Sequence, residues 1–137
     1  MCPRQNNTYQ QLLRARAFID EHAASPLDLA QIAREASFSR YHFLRLFRAA
    51  FNQTPHQYLI QRRIERAKWL LAAGELSVTE VCLAVGFQSL GSFSTLFHRS
   101  VGYPPKAYRS RVFCGIHLPR RFVPTCFFRK RKLVALL

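Results

Sequence analysis

Apolar residues recur every three or four positions through most of the first 110 residues, and one such pattern is written twice. In the second copy Val78, Val81, Cys82 and Val85 form a stripe at helical spacing. Ser77 with Glu80 three residues later makes a capping box that opens this helix. Gly86 supplies a turn, because it adopts a positive φ without penalty. A second helix follows, with Phe93, Leu96, Phe97, Ser100 and Val101 on its inward face. At an offset of 49, Leu29, Ile32, Ala36 and Phe38 fall on Val78, Val81, Val85 and Phe87. One extra residue then makes the offset 50, and Phe43, Leu46, Phe47, Pro55 and Tyr58 fall on Phe93, Leu96, Phe97, Pro105 and Tyr108. A matched apolar skeleton of this length marks a repeated structural unit.

Each unit reads as helix, tight turn, helix. One copy alone fits any α-helical hairpin; two copies point to helix-turn-helix modules. Around them the pattern predicts a first helix from about Thr8 to Ala23, with Leu12, Ala15 and Ile19 inward. Ser25-Pro26 ends it, Asp28 with Gln31 caps the next helix, and Ser39 caps the one after. Thr54-Pro55-His56-Gln57 opens a long linker helix that runs to about Ala73, where Gly74 stops it. Its Tyr58, Ile64, Ala67, Leu70 and Leu71 face inward, divided between the two units. Pro104 and Pro105 start a short last helix that closes near Arg109.

Charge narrows the partner. The 137 residues hold 21 Lys+Arg against 7 Asp+Glu, a net +14, which selects nucleic acid first and an anionic membrane second. Twelve Phe argue against a disordered basic tail protein. No run of eighteen apolar residues is present, so no spanning helix and no membrane partner is expected. The N-terminus lacks the apolar stretch of a secretory signal, and a cytoplasmic, nucleoid-associated location is the default expectation. Cys2, Cys82, Cys114 and Cys126 contain no C-x-x-C pair, and Cys82 on its apolar stripe reads as a small core residue. Cys114, His117 and Cys126 match no usual zinc spacing and lack a fourth ligand, so no metal and no cofactor is expected. Few acids, no Gly-rich phosphate loop and no partnered nucleophile speak against an enzyme.

The run GFQSLGSFSTLFHRSVGYPPKAYR at residues 86–109, with RRIERAKWLLAAGELSVTEVCLAVGF before it, resembles the DNA-binding domain of the AraC/XylS family of bacterial transcription regulators. The likeness covers about residues 9–109. It implies an all-α fold of about seven helices, with two helix-turn-helix subdomains joined by a long linker helix, binding double-stranded promoter DNA. The expected division is 8–54 for the first unit, 55–74 for the linker helix, 75–109 for the second unit and 110–137 for a basic tail.

In the first unit Phe43, Leu46, Phe47, Ala50 and Phe51 form the inward stripe of the second helix, and Tyr41, Leu44, Arg45 and Arg48 the outward one. The family's base-contacting positions correspond to Tyr41, Leu44 and Arg45. Arg bridges guanine O6 and N7, and an apolar side chain touches a thymine methyl; Leu44 can instead pack against the linker helix. The matching positions of the second unit are Gly91, Ser94, Thr95 and His98. Thr95 stands where the family commonly has Arg, leaving Leu90, Ser92 and Thr95 to meet thymine methyls or phosphates. Phosphate contact is expected from Arg40, Arg48, Arg62, Arg66, His98 and Arg99. Arg63 is a further candidate, or a tie between helices. The tail carries Arg111, Arg120, Arg121, Arg129, Lys130, Arg131 and Lys132 with no acid, which reads as an arm along DNA phosphates, as a flexible extension, or as an irregular segment packing Phe113, Phe122 and Phe127 on the domain; Phe127-Phe128-Arg129-Lys130 also leaves open contact with a partner protein or a membrane surface.

The expectation is a sequence-specific regulator that reads two successive major-groove segments as a monomer, with no room for a separate effector domain. A partner such as RNA polymerase would carry its effect. The alternative is a nonspecific architectural nucleic-acid-binding protein.

Overall fold

Seven helices follow one another in the computed structural model, which describes residues 3–113. They are α1 (Pro3–His22), α2 (Leu29–Glu35), α3 (Arg40–Phe51), α4 (Pro55–Ala73), α5 (Val78–Ala84), α6 (Leu90–Val101) and α7 (Pro105–Phe113), with no strand among the described residues.

The local signals act where they were expected. Thr54 Oγ1 accepts from the Gln57 N–H at 3.1 Å while Gln57 Oε1 accepts from the Thr54 N–H at 2.9 Å. Ser77 and Glu80 make the same reciprocal pair at 3.2 and 2.7 Å. At α2 the Gln31 side chain accepts from the Asp28 N–H at 3.1 Å. Ser39 occupies the N-cap of α3 in extended geometry, but its side chain makes no capping bond. Gly74 ends α4 at φ 75°. The turn between α5 and α6 uses Gly86 at φ 93°, and the matching position between α2 and α3 is Ser37 at φ 58°. Likewise α3 ends on Asn52 at φ 55° and α6 on Gly102 at φ 87°. The repeat therefore preserves backbone conformation where the residue type differs.

Two cores result. Leu12, Ala15 and Ile19 of α1 bury with Ile32, Ala33 and Ala36, then with Phe43, Phe47, Tyr58 and Leu59. Ile64, Ala67 and Leu71 of α4 bury with Val81, Cys82, Val85, Phe87, Phe93, Phe97 and Tyr108. Helix α4 thus gives its first half to one core and its second half to the other, as its pattern predicted. The rings are arranged alike: Phe43–Phe47 centroids are 5.4 Å apart and Phe93–Phe97 5.6 Å, with Tyr58 and Tyr108 edge-on at 6.1 and 5.5 Å.

Three expectations need correction. Helix α1 begins at Pro3 rather than near Thr8. Helix α7 continues to Phe113, because Val112 packs on the second core and the Arg111 guanidinium lies 3.9 Å from the Tyr103 ring centroid. Ala50 and Ser100, placed inward by periodicity, are exposed. Each is seven residues past a buried Phe and shares its angular face, about 10 Å further along the axis, but there the next residue, Phe51 or Val101, packs on the core instead.

Candidate nucleic-acid interface

Helices α3 and α6 expose the same positions in the same order. On α3, Arg40, Tyr41, Arg45 and Arg48 are exposed, Tyr41 by 81%, and Leu44 is partly buried. On α6, Leu90, Gly91, Ser92, Thr95, His98 and Arg99 are exposed, and Ser94 is partly buried. Tyr41, Leu44, Arg45 and Arg48, at i, i+3, i+4 and i+7, form one face of α3 opposite the buried Phe43 and Phe47. Among the described residues none of Arg40, Arg45, Arg48 and Arg99 forms an ion pair. Two second helices of a repeat thus present open outward faces, one rich in arginine and one short and polar.

The linker arginines are placed differently. Arg62 was expected to point at phosphate, but its Nε lies 2.7 Å from Asp20 and its Nη1 2.7 Å from Glu65. Tyr58 joins the group: its hydroxyl donates to Asp20 Oδ1 at 2.7 Å and accepts from Arg16 Nε at 3.0 Å. Burial disfavours the Arg62 cation, but Asp20, Tyr58 and Glu65 outweigh it and its pKa is raised. Burial is also the main reason the Tyr58 hydroxyl is pushed up. Arg62 therefore ties α4 to α1. Arg63 donates from Nε to the Ala23 carbonyl at 2.7 Å and from Nη2 to that of Ser25 at 2.9 Å, so its reading as a tie between helices is the one realised. Arg66 is partly buried, and desolvation lowers its pKa.

Two features escaped sequence reasoning. Asp20 and Arg16 meet Tyr58 across 38 and 42 residues, which no local pattern announces. Arg109 donates to the Leu76 and Gly74 carbonyls, both at 2.9 Å, and so caps the end of α4 from α7. Among the described residues no group of three His, Cys, Asp or Glu side chains is placed to hold a metal, and no helix is long and apolar enough to cross a membrane. Cys114, His117 and Cys126, and every tail cation after Arg111, lie outside the described residues.

A family model described as a helix-turn-helix domain matches residues 32–111. The regulatory protein SoxS of Escherichia coli is 36% identical over 101 residues, covering 70% of this chain and 90% of SoxS. The MmsAB operon regulatory protein of Pseudomonas aeruginosa is 36% identical over 99 residues, 72% of this chain but 32% of that protein; the chain spans about a third of the length of that longer relative. Among solved structures, the DNA-binding domain of the global transcriptional factor AdpA, in complex with a target DNA, is similar at a TM-score of 0.72 and 34% identity, over 75% of this chain and 93% of that one.

Proposed function

The chain belongs to the AraC/XylS family of helix-turn-helix transcription regulators, and on that premise we propose that α3 and α6 enter two successive major-groove segments of double-stranded promoter DNA. The observation that carries the reading is the pair of equivalent helices whose inward faces build two cores while their outward faces stay open. An α-helix fits the major groove, and two readers on one chain suit segments about 34 Å apart along one side of the duplex.

We assign base contact to Tyr41, Leu44 and Arg45 on α3 and to Leu90, Ser92 and Thr95 on α6. Arg40, Arg48, His98 and Arg99 flank these faces and meet phosphates, with Arg66 beside them. Arg62 leaves the set, because a pair of carboxylates already holds its guanidinium. Residues 8–54 and 75–109 act as the two reading units, 55–74 as the spacer between them, and 110–137 as a basic extension along the phosphates. One chain fills one site. The setting is the nucleoid in the cytoplasm, the output runs through RNA polymerase at the promoter, and no catalytic step is involved.

Selection of bound duplexes from a random DNA pool tests the proposal. The expected product is a bipartite site, occupied by one chain in sedimentation of the complex. A pool that stays unenriched would mean a nonspecific architectural binder, and two chains on the shortest high-affinity duplex would overturn the monomer.

A further inference from the structure

The two units meet at a place away from the axis of α4. Helix α1 ends at His22, so the carbonyls that follow have no intrahelical partners. Arg63 takes two of them, Ala23 at 2.7 Å and Ser25 at 2.9 Å, while its guanidinium carbon lies 5.7 Å from the centroid of the Phe87 ring. Phe87 follows Gly86, the turn of the second unit, and that turn presses on the same carbonyl row. A Cβ on Gly86 would sit 2.8 Å from the Ala24 oxygen and 3.2 Å from the Ala23 oxygen. Residues 23–25 of the first unit are thus gripped between an arginine and the turn of the second unit.

The repeat supplies its own control. Ser37 holds the position of Gly86 in the first unit, exposed and at φ 58°. A helix-turn-helix turn in this chain therefore tolerates a side chain there. In the second unit a wider φ of 93° already favours glycine, and the close approach to residues 23 and 24 adds a steric reason that the first unit lacks.

We propose that Arg63 and Gly86 form a latch that fixes α6 relative to α3, and so sets the number of base pairs the protein accepts between its two half-sites. The inference rests on the two-reader proposal above and makes Arg63 a positioning residue. Its physical basis is simple. A single helix shared by two cores leaves the units able to rock about it, whereas a second contact off that axis removes the freedom. DNA is unforgiving of such rocking: each added base pair moves the second half-site by about 3.4 Å and turns it by about 34°.

The test uses the full chain and duplexes carrying both selected half-sites with the spacer shortened or lengthened by one base pair. The wild type is expected to lose about tenfold or more in affinity for either change, since DNA must be over- or undertwisted to restore the fit. Arg63→Met keeps an unbranched side chain and removes the guanidinium fork with its two carbonyl bonds and its place over the Phe87 ring. It is expected to bind all three spacings within about threefold of one another, with single-base preferences in each half unaltered; Arg63→Lys should fall between. A wild-type spacing profile in Arg63→Met overturns the latch. So does uniform weakening with a reduced salt slope, the mark of a phosphate contact. Circular dichroism completes the set: an unfolded Arg63→Met makes Arg63 a requirement of the fold and overturns its positioning role. Failure of the two-reader premise looks different, because the wild type itself would then select no bipartite site.

Discussion

Arg45→Ala isolates base readout from folding. Arg45 is exposed on α3 and, among the described residues, forms no ion pair or hydrogen bond, so its loss opens no cavity and strands no partner. Alanine at an exposed helix position is also a better helix former, and stability should stay within about 0.5 kcal/mol of wild type. A bidentate Arg–guanine contact contributes roughly 1–3 kcal/mol of discrimination, or about 5- to 150-fold in preference at one base pair. The matching positions of α6 have no equivalent, since Thr95 cannot make a two-pronged contact and Gly91 offers no side chain. Titration of the variant against the selected site and each single-base change should therefore show preference lost at one position of one half-site. His98→Ala should weaken binding evenly across all sequences, as expected of a phosphate contact. If Arg45→Ala keeps every base preference and Thr95→Ala loses them, the two readers have been assigned the wrong way round.

Three other outcomes are expected. Removing residues 114–137 takes away six cations, Arg120, Arg121, Arg129, Lys130, Arg131 and Lys132, and leaves Val112 in the second core; if all six meet phosphates, the slope of log affinity against log salt should shallow by about 5, and an unchanged slope would exclude a phosphate arm. Ser37→Gly should raise thermal stability by about 0.5 kcal/mol by relieving a left-handed residue, while Gly86→Ala at the matching turn should cost more than about 1 kcal/mol; equal effects in melting curves would contradict the repeat-based reading. The Glu80 carboxyl is held below its usual range of about 4.5 by the Ser77 backbone N–H first and the Ser77 hydroxyl second, so the stability it contributes is present above that value and fades as pH falls through the lowered folded one; Glu80→Gln should show a shallower acid loss in unfolding curves between pH 7 and 3.

Much of the fold was legible because its signals are local. The caps at Thr54 and Ser77, the stops at Gly74 and Gly86 and the paired Phe residues all act within a turn or two of chain, and the 49- and 50-residue offsets exposed the duplicated unit before any packing was known. The outward faces of α3 and α6 were legible for the same reason, as helical periodicity places Tyr41 and Arg45 opposite Phe43 and Phe47. Periodicity gives angle but not which side chain closes the core, and in the last turn Phe51 and Val101 pack there while Ala50 and Ser100 stay exposed. The roles of Arg62 and Arg63 belonged to tertiary structure. Both are arginines on one helix, yet Asp20 claims the first and the carbonyls of Ala23 and Ser25 claim the second, from about 40 residues away. A cation's partner is whichever acceptor the fold brings within about 3 Å, and that distance is set only when α1 packs on α4.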